Sequence, residues 1–148
     1  MTLLFVFGPP AVGKMTVGRA IADASGYRLF HNHHTIEPLL DVFDFGTPPF
    51  NRLLGEFRQR VLEEAAAADT DLVFTLVWAL DLPEDTDAMR VHLRPFVDAG
   101  RRIALVELSA GLDTRLDRNG TPTGSRRRSR SATWSGRRQT SATSSATR

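Results

Sequence analysis

The 148-residue chain contains no cysteine and a single lysine, Lys14. Without cysteine it has no disulfide framework, no thiolate metal site and no thiol redox centre. With its one lysine preceded by Gly13, it has no Asn-Lys-x-Asp element of the kind that reads a guanine base, which makes a GTPase the least expected reading. Long hydrophobic runs are missing too. The apolar start Leu3–Phe7 has no basic segment before it and stops at Gly8-Pro9-Pro10, so it is not a signal peptide. The longest later run, Leu72 to Leu80, is too short to span a bilayer. The chain therefore reads as a cytoplasmic protein, of a length that suits one domain and is too small for a hexameric motor.

A further absence is regional. Residues 118–148 hold no acid and no Val, Ile, Leu, Met or Phe, and Trp134 is their one large apolar side chain. Eight arginines give that stretch a net charge of +8, whereas residues 1–117 carry seventeen acids against eleven bases, a net charge of −6. The pI of 9.9 thus describes neither part, and it is poor evidence for a nucleic-acid-binding domain. A segment of Ser, Thr, Arg, Gly and Ala cannot bury enough apolar surface to offset its ordering entropy. It is expected to be disordered, and its abrupt onset after Asp117 is what an out-of-frame reading of a GC-rich gene yields. The expected organisation is a nucleotide-binding domain over 1–117 and a disordered, frameshifted or truncated tail over 118–148.

What is present is concentrated near the start. Gly8-Pro9-Pro10-Ala11-Val12-Gly13-Lys14 has G-x-x-x-x-G-K spacing, between a strand-like run and a helical pattern. Glycines let the backbone curl until its N–H groups point inward at a phosphate, and the following helix adds its positive end. Lys14 supplies a mobile charge for the outer phosphates. The expected phosphate contacts are Gly8, Pro9, Pro10, Ala11, Val12, Gly13, Lys14, Met15 and Thr16. One position departs from the pattern: Met15 stands where a Ser or Thr hydroxyl meets Mg²⁺. Thr16 is one residue later, about 100° further round the helix, so it cannot simply replace that hydroxyl.

Leu3–Phe7, Leu72–Trp78 and Ile103–Leu108 read as buried parallel strands, with Tyr27–Phe30 as a short fourth. Val17, Ile21 and Ala24 share a helix face that stops at Gly26. A second helical stripe, Leu53 to Ala65, follows Thr47-Pro48, and a third, Met89, Leu93, Phe96 and Val97, closes at Gly100. Alternation of this kind predicts an α/β fold, a three-layer αβα P-loop NTPase with a doubly wound parallel sheet, C-terminally incomplete. Ligands then sit at the carboxyl ends of the strands, where the loop after Phe7 lies.

The stretch Gly8 to Glu37 resembles the opening of the small P-loop kinases, the shikimate-kinase and nucleotide-kinase group. It is most similar to bacterial proteins labelled AAA-family ATPase or shikimate-kinase-like, over roughly residues 1–119. The resemblance implies ATP and Mg²⁺ as cofactors and a small-molecule hydroxyl acceptor. Adenylate kinases have glycine where Met15 stands, so the missing hydroxyl is compatible with phosphoryl transfer. Shikimate kinases end their second strand in Asp-x-Asp, and ungapped counting puts those places on His31 and His33. Neutral imidazole can accept a hydroxyl proton near pH 7 but suits hard Mg²⁺ poorly, so shikimate itself is not the expected substrate. Strand alternation would point His31 and His33 the same way, with Asn32 and His34 opposite; the plainer reading is a polar loop.

Lys14, His33 and His31 are therefore the catalytic candidates, and Arg118 is the nucleotide-gripping arginine that the resemblance implies near a lid. Thr16 and Asp81 are the metal candidates, Asp81 because it follows a main strand. Arg58 is similar in place to the substrate-anion arginine of shikimate kinases, although the residues favour a surface helix arginine. Glu107 closes an apolar run without an acidic neighbour, which suits an edge strand. The lid, a further strand and a closing helix have no counterpart after residue 119, so weak catalysis is expected. A non-catalytic nucleotide binder or an inactive remnant is the main alternative, and a nucleic-acid binder led by its arginine tail the second.

Overall fold

The computed structural model describes residues 2–78 and 83–120. In chain order the elements are β1 (Thr2–Phe7), α1 (Lys14–Ser25), β2 (Arg28–His31), α2 (Asn32–Leu40), α3 (Pro48–Ala67), β3 (Leu72–Leu76), α4 (Pro83–Asp98), β4 (Arg102–Glu107) and α5 (Leu112–Gly120). The four strands form one sheet in the order β2-β3-β1-β4, and every pairing is parallel. The chain leaves β1 toward β3 and β2, then crosses to β4 on the other side. β1 is thus flanked by strands reached in opposite directions, and the loop after it opens at the switch point of a doubly wound sheet.

Alternation along the strands divides the core between two faces. Leu3, Phe5 and Phe7 pack with Phe30, Phe74, Leu62, Ala66, Met89 and Phe96 under α3 and α4. Leu4 and Val6 face the other way, toward Val73, Ile21 and Ala22 of α1. Helices on both faces of a parallel sheet give the three layers that continuous apolar strands require. Phe30, Phe74 and Phe5 lie in register across β2, β3 and β1, their ring centroids 5.5 and 5.3 Å apart. The same row continues to Leu105 on the edge strand β4, where the side chain is 52% exposed.

The breakers act as their chemistry dictates. Gly26 takes φ 76° and returns its N–H to the Ala22 carbonyl, ending α1. Gly100, at φ 63°, follows α4 while Arg101 N–H bonds the Phe96 carbonyl at 2.8 Å. Thr47 precedes α3 with Pro48 in the first turn but makes no side-chain cap; its hydroxyl donates to the Asp44 carbonyl at 2.8 Å instead.

Three expectations need correction. The segment after β2 is not a polar loop: α2 begins at Asn32, directly after the strand, and contains Pro38. β3 ends at Leu76 rather than Trp78, and Trp78 folds back onto Phe5 and Phe7 with centroids at 5.9 and 4.6 Å. Val97 is 62% exposed, so the buried stripe of α4 stops at Phe96. α5 runs from Leu112 through Arg118 to Gly120, across the point where the composition changes. Asp81 and the remainder of the expected tail, 121–148, lie outside the described residues.

Candidate active site

The loop from β1 to α1 is held by backbone conformations that few residues adopt. Gly8, Ala11 and Gly13 have φ of 141°, 61° and 101°. A Cβ on Gly8 would collide with the Leu108 carbonyl oxygen, so this position is fixed by sterics as well as by φ. Gly18, one turn into α1, lies against β3: a Cβ there would stand 2.8 Å from Thr75 Cγ2. The helix is thereby pressed onto the sheet and its N-terminus is aimed at the loop.

Gly13 caps α1 with no side chain, and the first turn contains no acid. The first intrahelical bond runs from Val17 N–H to the Gly13 carbonyl at 3.0 Å. The N–H groups of Lys14, Met15 and Thr16 therefore have no partner within the helix, and they add to its positive end. Lys14 Nζ lies back across the loop and donates to the carbonyls of Gly8 at 2.8 Å and Pro9 at 2.7 Å. Burial pushes its pKa down to about 8. Arg118 reaches the same loop from α5, its Nη1 donating to the Val12 carbonyl at 3.0 Å. Met15 and Thr16 are both exposed on the first turn.

The other half of the candidate site lies two strands away, at the same carboxyl end of the sheet. His31 ends β2 and is buried, its ring 3.6 Å from that of His34. His33 stands edge-on to His31 at 5.9 Å, half-exposed, with Nδ1 4.0 Å from Glu37 Oε1. Strand alternation does not apply, because the helix starting at Asn32 brings His34 rather than His33 onto the His31 ring. Arg58 of α3 is no surface arginine. Its Nη2 donates to Asn32 Oδ1, its Nε donates to Thr35 Oγ1 at 3.1 Å, and burial lowers its pKa to about 10. Thr35, itself fully buried, donates in turn to the Asn32 carbonyl at 2.8 Å. No carboxylate pairs with Arg58 among the described residues. His92 of α4, 3.1 Å from Gln59 Oε1, is pushed down to a pKa of about 4 by burial and by the Arg58 charge. An open groove of about 750 Å³ between α3 and α4 is lined by Arg58, Gln59, His92, Asn51 and Gly55.

Sequence reasoning missed Thr35, Gln59 and His92 and undervalued Arg58. The one signal was an arginine on an otherwise apolar helix stripe. Glu107 occupies the last position of the edge strand β4 and is exposed.

No protein-family model matches the chain, and no curated protein matches it. Solved structures do. Shikimate kinase from Acinetobacter baumannii in complex with shikimate superposes with a TM-score of 0.54 at 19% identity, over 82% of this chain and 64% of that one. A sugar kinase from Janibacter gives 0.55 at 14%, over 80% and 65%. A protein assigned as a kinase from Chloroflexus aurantiacus gives 0.62 at 21%, over 79% and 63%. The fold is that of the small P-loop kinases. The chain spans under two thirds of the length of each of these three proteins.

A P-loop kinase fold implies a divalent ion beside the phosphates, and the donors here fit it poorly. Mg²⁺ takes hard oxygen ligands in near-octahedral geometry. The position after Lys14 offers the Met15 thioether, and the end of β2 offers the imidazoles of His31 and His33. Among the described residues, no group of three or more His, Cys, Asp or Glu is arranged to hold a metal ion. Thr16 supplies one exposed hydroxyl on the first turn of α1.

Proposed function

We propose that this chain binds ATP at the loop Gly8–Lys14 and transfers its terminal phosphoryl group to a hydroxyl of a small anionic acceptor. One observation carries the reading: a positively polarised phosphate loop shares a sheet end with a half-buried arginine that has no acid partner among the described residues. The N–H groups from Ala11 to Thr16 and the Lys14 ammonium hold the phosphates, with Lys14 exchanging its bonds to Gly8 and Pro9 for phosphate oxygens. Arg118 moves from the Val12 carbonyl to the nucleotide in the same way.

At the other end Arg58 takes the anionic group of the acceptor, already oriented by Asn32 and Thr35. A desolvated cation without a counter-charge is costly, and an incoming anion relieves that cost. His33 stands in the first turn of α2, with Nδ1 4.0 Å from Glu37 Oε1. It takes the proton from the acceptor hydroxyl as the oxygen forms its bond to the γ-phosphorus. The bond from that phosphorus to the β,γ-bridging oxygen breaks, and the electron pair leaves with ADP. His31 lies beneath and positions the segment by stacking on His34.

Incubating the purified chain with γ-labelled ATP and a panel of hydroxylated carboxylates and phosphates tests this. Label is expected in at least one acceptor. Nucleotide binding with no transfer to any acceptor leaves a non-catalytic nucleotide binder instead.

A further inference from the structure

The poor fit between the donor set and a divalent ion has a consequence for how the nucleotide is held. We infer that the phosphate loop binds its nucleotide without a divalent ion held by the protein, the phosphate charge being met by Lys14, Arg118 and the first-turn N–H groups of α1. The inference rests on the nucleotide-binding reading above.

Three observations converge on it. The residue that would place a hydroxyl on the ion is Met15, an exposed thioether that does not ligate hard cations. The residues that would place carboxylates there are His31, buried against His34, and His33, whose Nδ1 lies 4.0 Å from Glu37. Cations, by contrast, come to the loop from two elements distant in sequence: Lys14 Nζ rests on the Gly8 and Pro9 carbonyls, and Arg118 rests on the Val12 carbonyl. The Lys14 bonds go to neutral carbonyl oxygens, contacts that an incoming phosphate outcompetes because bonds between two charged groups are roughly twice as strong as neutral ones.

The test is calorimetric binding of ADP and ATP to the full chain, in excess magnesium and in EDTA. Wild-type affinity is expected to differ by less than about threefold between the two buffers, under 1 kcal/mol. Met15→Ser restores a hydroxyl at the position that a phosphate-loop ion uses, and it should make binding respond to magnesium by about tenfold. A loss of about tenfold or more in EDTA for the wild-type chain overturns the inference. If Asp81→Asn abolishes that loss, Asp81 is the ion's holder. Absence of binding in both buffers overturns the nucleotide reading along with the inference, whereas magnesium-dependent binding overturns the inference alone.

Discussion

The two ends of the candidate site are built on different principles. The phosphate end is made of backbone: its geometry comes from Gly8, Ala11 and Gly13 at positive φ and from a helix N-terminus without a cap. The proposed acceptor end is made of side chains drawn from three helices: His33, Asn32 and Thr35 of α2, Arg58 of α3 and His92 of α4. On the proposed reading, backbone geometry at one short loop recognises what all nucleotides share, a chain of phosphates. On the same reading, a constellation of side chains recognises what differs, which assigns specificity for the acceptor to the helices rather than to the loop.

The largest expected effect separates the two ends at once. Lys14→Ala should weaken ADP binding by roughly 100-fold, the loss of charge-assisted bonds amounting to about 3 kcal/mol. Calorimetry on a variant whose melting curve matches the wild type checks it. Arg58→Met should leave nucleotide affinity unchanged and lower kcat/KM for an anionic acceptor by roughly 10-fold or more. Arg58→Lys should rescue only part of that loss, because an ammonium cannot hold Asn32 and Thr35 with a planar fork. Equal losses at both ends in steady-state kinetics would contradict the division.

pH gives a finer separation. Lys14 in the free protein titrates near 8, so ADP affinity should fall as pH rises from 7 to 9. The loss should approach roughly 10-fold at the upper limit, set by the fraction of protein still protonated before binding. Lys14→Arg should flatten that profile if it binds at all.

The smallest effect concerns stability at the acceptor end. The folded pKa of His92 lies near 4, below its ordinary 6.5, so between those values the unfolded chain binds the proton and the folded chain does not. Stability contributed by this site is therefore present above about 6.5 and lost as pH falls toward 4. His92→Gln should reduce the drop in melting temperature across that window. After allowance for partial exposure, the difference is about 1 kcal/mol at most.

How much of this was legible follows the same division. The loop, α1, its stop at Gly26 and the Thr47-Pro48 start of α3 are local in sequence, and periodicity with turn chemistry reveals them. The histidines were placed at the right strand end, but their mutual arrangement was not visible. Asn32-His33-His34-Thr35 has no apolar period, and Pro38 argues against a helix that the fold nevertheless forms. Arg58 looks like a surface residue because its partners are 23 and 26 positions away. No local rule connects them. The helix across the 117/118 boundary was hidden because composition changes there while the backbone does not. Leu112 and Leu116 of α5 are 60% and 57% exposed, so the helix carries little of the buried pattern that sequence reading relies on.

The contact between Gly8 and Leu108 bears on the order in which the protein folds. Leu108 N–H bonds the Phe7 carbonyl at 2.8 Å, its own carbonyl fills the space that a side chain on Gly8 would need, and ten residues later Arg118 grips Val12 across a separation of 106. The motif of seven consecutive residues is thus completed by a segment from the far end of the described chain. Such non-local contacts form late, after the entropy of closing the intervening loop has been overcome. The loop is expected to reach its working shape only once β4 has paired with β1. A fragment ending before Leu108 would keep every letter of the motif and lose the conformation that gives those letters their chemistry.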